Sequence, residues 1–347
     1  LRRTGTGNRA ENMSRFQNFE ILEKTGAGEW ILTGGTTASP TTVQSITVDA
    51  GSLVLLGIWK ATGNTTTVAA ATNLNVGDGG TQTLLEEEQD LQVHGNLNVL
   101  SNGAVTVAGD TRILGSGYVT VFSGGSFDAQ GVTIDGQGAS AGLVFQSGVQ
   151  ATTGALTATD GYMEQLGATV AIGGDVTLTN TRSFTAEGAT VTVAGALTAN
   201  GGVLLSVFQS SFTVSGPVTF DAGPTGTGLV SVAIGGFGAF QGFFIAESTT
   251  TIGYNTNVSI SPLGTYDARG AVTVRNTGVL SINGDGIFKA GDSFTVQDTA
   301  IVALFSGGTL ETAQGAILEG GNLYAVAGTT YTGTVGGIVV GDVNSTI

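Results

Sequence analysis

A short phrase recurs along this chain, and its period limits the possible folds more than any other feature. A glycine, one or two variable residues and then alternating Val, Leu, Ile or Thr begin at Gly109, Gly131, Gly154, Gly174, Gly195, Gly216, Gly270 and Gly291. Successive starts keep nearly the same interval, except that the step from Gly216 to Gly270 is longer than two such intervals. Repeats at so short a period mark architectures in which one supersecondary unit cannot bury its own apolar face and must stack on copies of itself.

Within one period, Glu187–Phe208 reads as three short strands, ATVTVA, ALTA and VLLSVF, separated by glycine-containing corners. Each alternates apolar residues with Thr or Ser, so one face is buried and the other solvated. Gly and Asn supply the positive φ angles that tight corners demand. The expected fold is all-β, a parallel β-helix (solenoid) with turns of about 21 residues. A β-sandwich or a β-propeller is the competing all-β arrangement, and the short period weighs against a propeller, whose blades need about 40 residues. Helical spacing is nearly absent; the one helix-like run is LLEEEQDL, Leu84 to Leu91.

Composition agrees with a large core and an unusual surface. Hydrophobic residues make up 41% of the 347 positions, enough to fill the inside of many coils. Charged residues are only 11%, against roughly 25% in an average soluble domain. A net charge of -15 with 11 Lys and Arg excludes a nucleic-acid partner, because phosphate binding needs clustered cations. The absence of cysteine excludes disulfides, thiolate metal sites and a Cys nucleophile. The opening LRRTGTGNRAENMSRF contains no apolar run of signal-peptide length, and residues 1–15 are read as an N-terminal extension of a trimmed segment.

The segment FQNFEILEKTGAGEWILTGG, Phe16 to Gly35, resembles a pattern in the passenger domains of Gram-negative autotransporters, the type V secreted proteins. The matching positions are Phe16, Asn18, Phe19, Glu20, Lys24, Gly26, Gly28, Trp30, Leu32, Thr33 and Gly34. The resemblance implies a right-handed parallel β-helix at residues 16–347, a single passenger domain displayed on the bacterial cell surface. It also implies tethering to the outer membrane through a barrel, and the ending GDVNSTI, which lacks the amphipathic strands of a barrel, leads to the expectation that this barrel lies outside the chain. Independently of the resemblance, Phe19, Ile21, Trp30 and Leu32 alternate around a Thr-Gly-Ala-Gly corner and can bury on one face, so Trp30 is expected in the core.

No complete catalytic constellation is present. The single histidine, His94, is expected on the polar face of a strand. GDSF at Gly291 resembles the nucleophile block of the GDSL esterases, but no histidine follows it, and Gly291 falls on the beat of the repeat. The GDSGS block of serine-protease passengers is absent. Carboxylate pairs that could cleave polysaccharide are Asp128 with Asp135 and Asp267 with Asp285; Asp at such corners is favoured by turn geometry alone. GDGG at Gly77, NGDG at Asn283 and the run Glu86, Glu87, Glu88, Asp90 offer too few converging ligands for calcium, and the run is read as a solvated bulge or short helix. No catalytic residue, metal ligand or cofactor is assigned.

The interval from Gly216 to Gly270 exceeds two beats by more than half a beat, which places an irregular segment or insertion around 221–250. Inside it lies GGFGAFQGFF, Gly235 to Phe244, with four of the chain's 16 phenylalanines. Gly228–Ala246 is uncharged throughout, but its glycines and its Val-Ser-Val-Ala-Ile alternation are those of strands rather than a membrane helix. Phe237, Phe240, Phe243 and Phe244 either fill a wider stretch of the β-helix interior or stack between adjacent coils, or else display a candidate partner-binding patch. The function expected from all of this is a non-enzymatic extracellular surface protein, an adhesin or structural rod whose ligand is a host-cell, matrix or glycan component. A polysaccharide-active β-helix enzyme and a self-associating fibre subunit are the alternatives.

Overall fold

The computed structural model describes residues 2–4, 8–13, 19–225 and 228–332; Phe16 and Asn18 lie outside them, as does the side chain of Phe19. Every regular element among the described residues is a β-strand. The strands fall into two compact units, Leu1–Val170 and Ala171–Ile347. In each unit the strands pair in parallel with the strands one coil away, which is a parallel β-helix.

Register shows how the repeat becomes a core. In the first unit Trp30, Leu53, Leu74, Leu97, Val119, Leu143 and Met163 occupy the same position on successive coils. All are buried. The side-chain period of two means that a slip by one residue would turn this whole column outward, so the column fixes the register. The second unit repeats the device with aromatics: Phe212, Phe244, Tyr266 and Phe288 are aligned on consecutive coils. Their rings lie 5.2, 4.8 and 5.0 Å apart along the column. The Thr that follows the inward residue of the repeated phrase points out, giving a column of Thr177, Thr198, Thr219, Thr251, Thr273 and Thr295.

Corners use the expected residues. Asn102, Asn180, Asn255 and Asn276 hold φ between +46° and +60°. These are values that Asn tolerates better than other side chains because its amide can bond locally.

The run Leu84–Leu91 is not helical. Thr83–Glu87 is a strand with alternating burial, and Leu91–Val93 is the next one. Leu85 is locked in register between Trp59 and Val105, and this tertiary pairing overrides the helix propensity of a Leu/Glu-rich run. The same alternation turns Glu87 inward, so the acidic run is not uniformly solvated. Glu87 is 2% exposed, lies in register with Ala61 and Val107, and neither carboxyl oxygen closes a hydrogen bond of good geometry. Burial pushes its pKa up to about 8, and the Thr66 hydroxyl beside it offsets this only in part.

A proton held in the folded state up to about pH 8, but lost by the unfolded chain near its ordinary carboxyl pKa, lowers stability as pH rises between those values. Glu87→Gln, which mimics the protonated side chain, is therefore expected to leave the denaturation midpoint unchanged near pH 4.5. It should raise stability at about pH 8 by on the order of a few kcal/mol. Parallel urea titrations of the two proteins across this range measure the difference.

Candidate functional site

The motif at the N-terminal end of the chain has a structural role that its spacing explains. Lys24 is fully buried at the end of the strand Phe19–Thr25, with its ammonium donating to the carbonyl oxygens of Gly26 and, at 2.9 Å, Ala50. It lies 5.2 Å from the centre of the Trp30 ring, which is 4% exposed. A buried ammonium is tolerated only when carbonyls and an aromatic face replace its water, and burial lowers its pKa. Ile21 does not bury beside Trp30 as its spacing suggests. Leu22 and Lys24 are in register with the core residues Ile46 and Val48, so alternation turns Ile21 outward. Gly26 turns the corner with φ +94°. Gly34 leaves room for the indole of Trp59, since a Cβ there would stand 2.5 Å from its nitrogen. Leu32 is core and Glu20 is exposed. Lys24→Ala would leave two carbonyls without their donor inside the coil, and a loss of about 2–3 kcal/mol in chemical denaturation is expected.

The candidate carboxylates are placed one at a time. Asp128 is exposed, in register with Thr106 and Thr152. Asp135 accepts the Gln137 amide of its own turn, at 3.1 Å. Asp267 accepts from Arg269 at 3.3 Å, and Asp285 is a corner residue. In the GDGG loop, Asp78 accepts the Gly80 and Thr81 amides, and those bonds lower its pKa. His94 is half-buried just after the strand Leu91–Val93. Ser293 of GDSF lies in the corner before the strand Phe294–Gln297, where its carbonyl accepts the Val272 amide at 2.8 Å. Among the described residues no group of three or more His, Asp or Glu is placed to hold a metal ion.

The aromatic stretch divides. Val230–Gly235 and Gly242–Ala246 are strands of two different faces, so the uncharged run is not a helix of any kind. Register shows where the surplus length goes. The step from Phe212 to Phe244 is nearly half as long again as the step from Phe244 to Tyr266, although each spans one coil. On the other face the steps from Leu205 to Val232 and from Val232 to Val258 are both moderately long. The surplus is therefore two short excursions, one between Phe220 and Val230 and one between Gly235 and Gly242.

The second excursion is a hairpin. Phe237 and Phe240 form an antiparallel bridge, with the Phe240 amide donating to the Phe237 carbonyl at 3.3 Å. Its base is tied to the next coil by the Gly236 amide, which donates to the Pro262 carbonyl at 3.1 Å. Gly236 has to be glycine, because a Cβ would collide with the Phe240 carbonyl oxygen. Phe237 and Phe240 are 82% and 66% exposed, and Phe243 at the start of the following strand is 36% exposed. Phe244 is not part of that surface: it is fully buried, stacked within 5° of parallel on Phe212.

The same hairpin occurs in the first unit, between Thr33 and Thr41. There Thr36 bridges Ser39, and the Gly35 amide donates to the Ile58 carbonyl of the next coil at 3.2 Å. A Cβ on Gly35 would collide with the Ser39 carbonyl oxygen, the counterpart of the Gly236 contact. Aligning GGTTAS with GGFGAF puts Thr36 opposite Phe237 and Ser39 opposite Phe240. Both positions are exposed in both hairpins. The fold thus builds this excursion with small polar residues elsewhere, and the phenylalanines of the second one are not required for it. The doubled glycine that opens each tip is the signal in the sequence that links them. Phe208, 36% exposed, is a further member of this surface; its ring lies 3.2 Å from where a Cβ on Gly235 would stand.

No family model and no curated protein sequence matches the chain. Among solved structures, the crystal structure of the TibC-catalyzed hyper-glycosylated TibA55-350 fragment is similar at 15% identity, covering 94% of this chain and 100% of that one, with a TM-score of 0.33. At that level neither fold nor function transfers, and both rest on this chain's own register and surface.

Two opposite outcomes separate core from display. Phe244→Ala is expected to cost about 3–5 kcal/mol, because it opens a cavity between Phe212 and Tyr266. The double variant Phe237→Thr, Phe240→Ser, which copies the first unit's hairpin, is expected to keep the parent's thermal midpoint to within a degree or two. Differential scanning calorimetry of both variants measures the contrast.

Proposed function

We propose that this chain is a non-enzymatic extracellular surface protein, a β-helical passenger of the autotransporter type, that uses the Phe237–Phe240 hairpin as an adhesive contact. The observation that carries the reading is the pair of phenylalanines at 82% and 66% exposure on a hairpin that the same molecule also builds without aromatics. Exposed apolar side chains that contribute nothing to folding cost solubility, and clustered aromatics are the side chains most often found to anchor interfaces. The motif around Lys24 and Trp30 supports the passenger reading, since the matched residues Lys24, Gly26, Trp30, Leu32 and Gly34 each have a place in the same stretch of coil. In this reading the β-helix holds the hairpin away from the cell, the outer-membrane barrel is supplied by sequence outside this chain, and the ligand is a host-cell, matrix or glycan component.

Purified protein screened against glycans, matrix proteins and cells, beside a Phe237→Ser, Phe240→Ser variant, tests this. Tenfold or greater loss of the bound fraction with an unchanged melting temperature is the expected result. Undiminished binding by the double variant would assign adhesion to another surface.

A further inference from the structure

Resting on the reading of this hairpin as a contact surface, we infer that the Phe237–Phe240 tip recognises a zwitterionic phospholipid surface by inserting its two phenyl rings into the interface. The chemistry around the tip favours lipid over a ligand read by hydrogen bonds. Phenylalanine offers area without a polar handle, unlike Tyr or Trp. No charged residue lies between Ala222 and Ala246. The Gln209 side chain already donates to the Phe237 carbonyl, at 3.4 Å. Across the hairpin base stand Ser261, Pro262 and Leu263, with Leu263 against Gly236. A sugar would need several converging donors and acceptors, whereas a bilayer interface needs only apolar area that can enter it.

The backbone suits shallow insertion. Lipid penalises unpaired amides and carbonyls; the Phe240 amide is paired within the tip, to the Phe237 carbonyl, and insertion of the rings alone leaves the Gly238 and Ala239 amides at the level of the hydrated headgroups. Its base is bonded to the adjoining coil through Gly236 and, at 3.1 Å, through the Gly242 amide to the Leu263 carbonyl. The two rings are therefore held outward on a short, braced loop, so little order has to be gained on insertion.

Charge selects the class of lipid. Peripheral proteins that seek anionic membranes surround their apolar residues with Lys and Arg. Here the charged residue that adjoins the surface is acidic, Glu187, in register with Phe208; Glu247 stands beyond the far end of the strand Gly242–Ala246. The cation there, Arg269, donates to both carboxyl oxygens of Glu247, at 2.7 and 2.9 Å. With a net charge of -15 the chain is repelled by anionic headgroups, so phosphatidylcholine-type surfaces are the matching partner.

Phe240→Trp places a fluorophore at the tip of the full chain, while Trp30 and Trp59, 4% and 0% exposed, contribute a constant background. Titration with phosphatidylcholine vesicles is expected to shift the emission to the blue and to expose the tip indole to quenchers carried on the acyl chains. Adding Phe237→Ser should weaken the partition coefficient about tenfold or more, the fold-change of losing one buried phenyl ring. Replacing a third of the lipid by phosphatidylserine should weaken it several-fold at low salt. Three results would overturn the inference: no spectral change up to millimolar lipid, equal or stronger partition into phosphatidylserine vesicles, or a blue shift produced by raising the protein concentration alone, which would mean that a second copy covers the tip. Loss of cell binding in the Phe237→Ser, Phe240→Ser variant together with silence toward vesicles would keep the adhesive hairpin and assign its partner to a protein, so the two readings fail separately.

Discussion

The interaction on which everything else depends is the in-register stacking of identical positions from one coil to the next. A single coil has a few inward side chains and no way to enclose them. Its neighbours above and below supply the other walls, together with the backbone partners of every strand. Leu74, Leu97 and Val119 in one unit, and Phe212, Phe244 and Tyr266 in the other, are the same position repeated. Once such a column is fixed, the outward face is free of folding constraints, and that freedom lets one corner carry Thr and Ser and another carry two phenylalanines.

Constraint and freedom meet within a short stretch of chain. Phe243 and Phe244 are neighbours in one strand, and alternation sends the first outward and the second into the aromatic column. Phe240, just upstream, belongs to neither, because the hairpin has left the coil at Gly236 and rejoins it at Gly242. Lys24 is the converse case, a charged side chain drawn inward because two carbonyls and the face of Trp30 are arranged to receive it.

Much of this was legible in the sequence. The spacing of Gly109, Gly131 and Gly154 carries the coil length directly, and Val-Thr alternation carries the inward and outward faces. The Gly216–Gly270 interval located the irregularity but not its form, since one long insertion and two smaller excursions leave the same spacing. Leu84–Leu91 misled because Leu and Glu favour helix locally, while the pairing of Leu85 with Trp59 and Val105 is set by the coils on either side. Glu87 was hidden for the same reason: in a run of acids only the register tells which one points inward. Ile21 and Leu22 posed the same problem, two adjacent apolar residues of which the strand can bury only one. The division of the phenylalanines was out of reach without noticing that GGTTAS and GGFGAF are the same turn, a likeness of backbone demand with only two glycines and an alanine shared in sequence.

The central claim is that one aromatic stretch is split between a stacked core and a displayed tip. Amide hydrogen exchange resolved along Gly235–Ala246 tests it most directly. The account requires slow exchange at Phe244, Ile245 and Ala246, whose strand pairs on both sides, and fast exchange at Gly238 and Ala239 at the tip. Uniform protection from Phe237 through Ala246 would mean that the tip is buried in the coil, and rapid exchange at Phe244 would mean that the aromatic column does not hold the coils together.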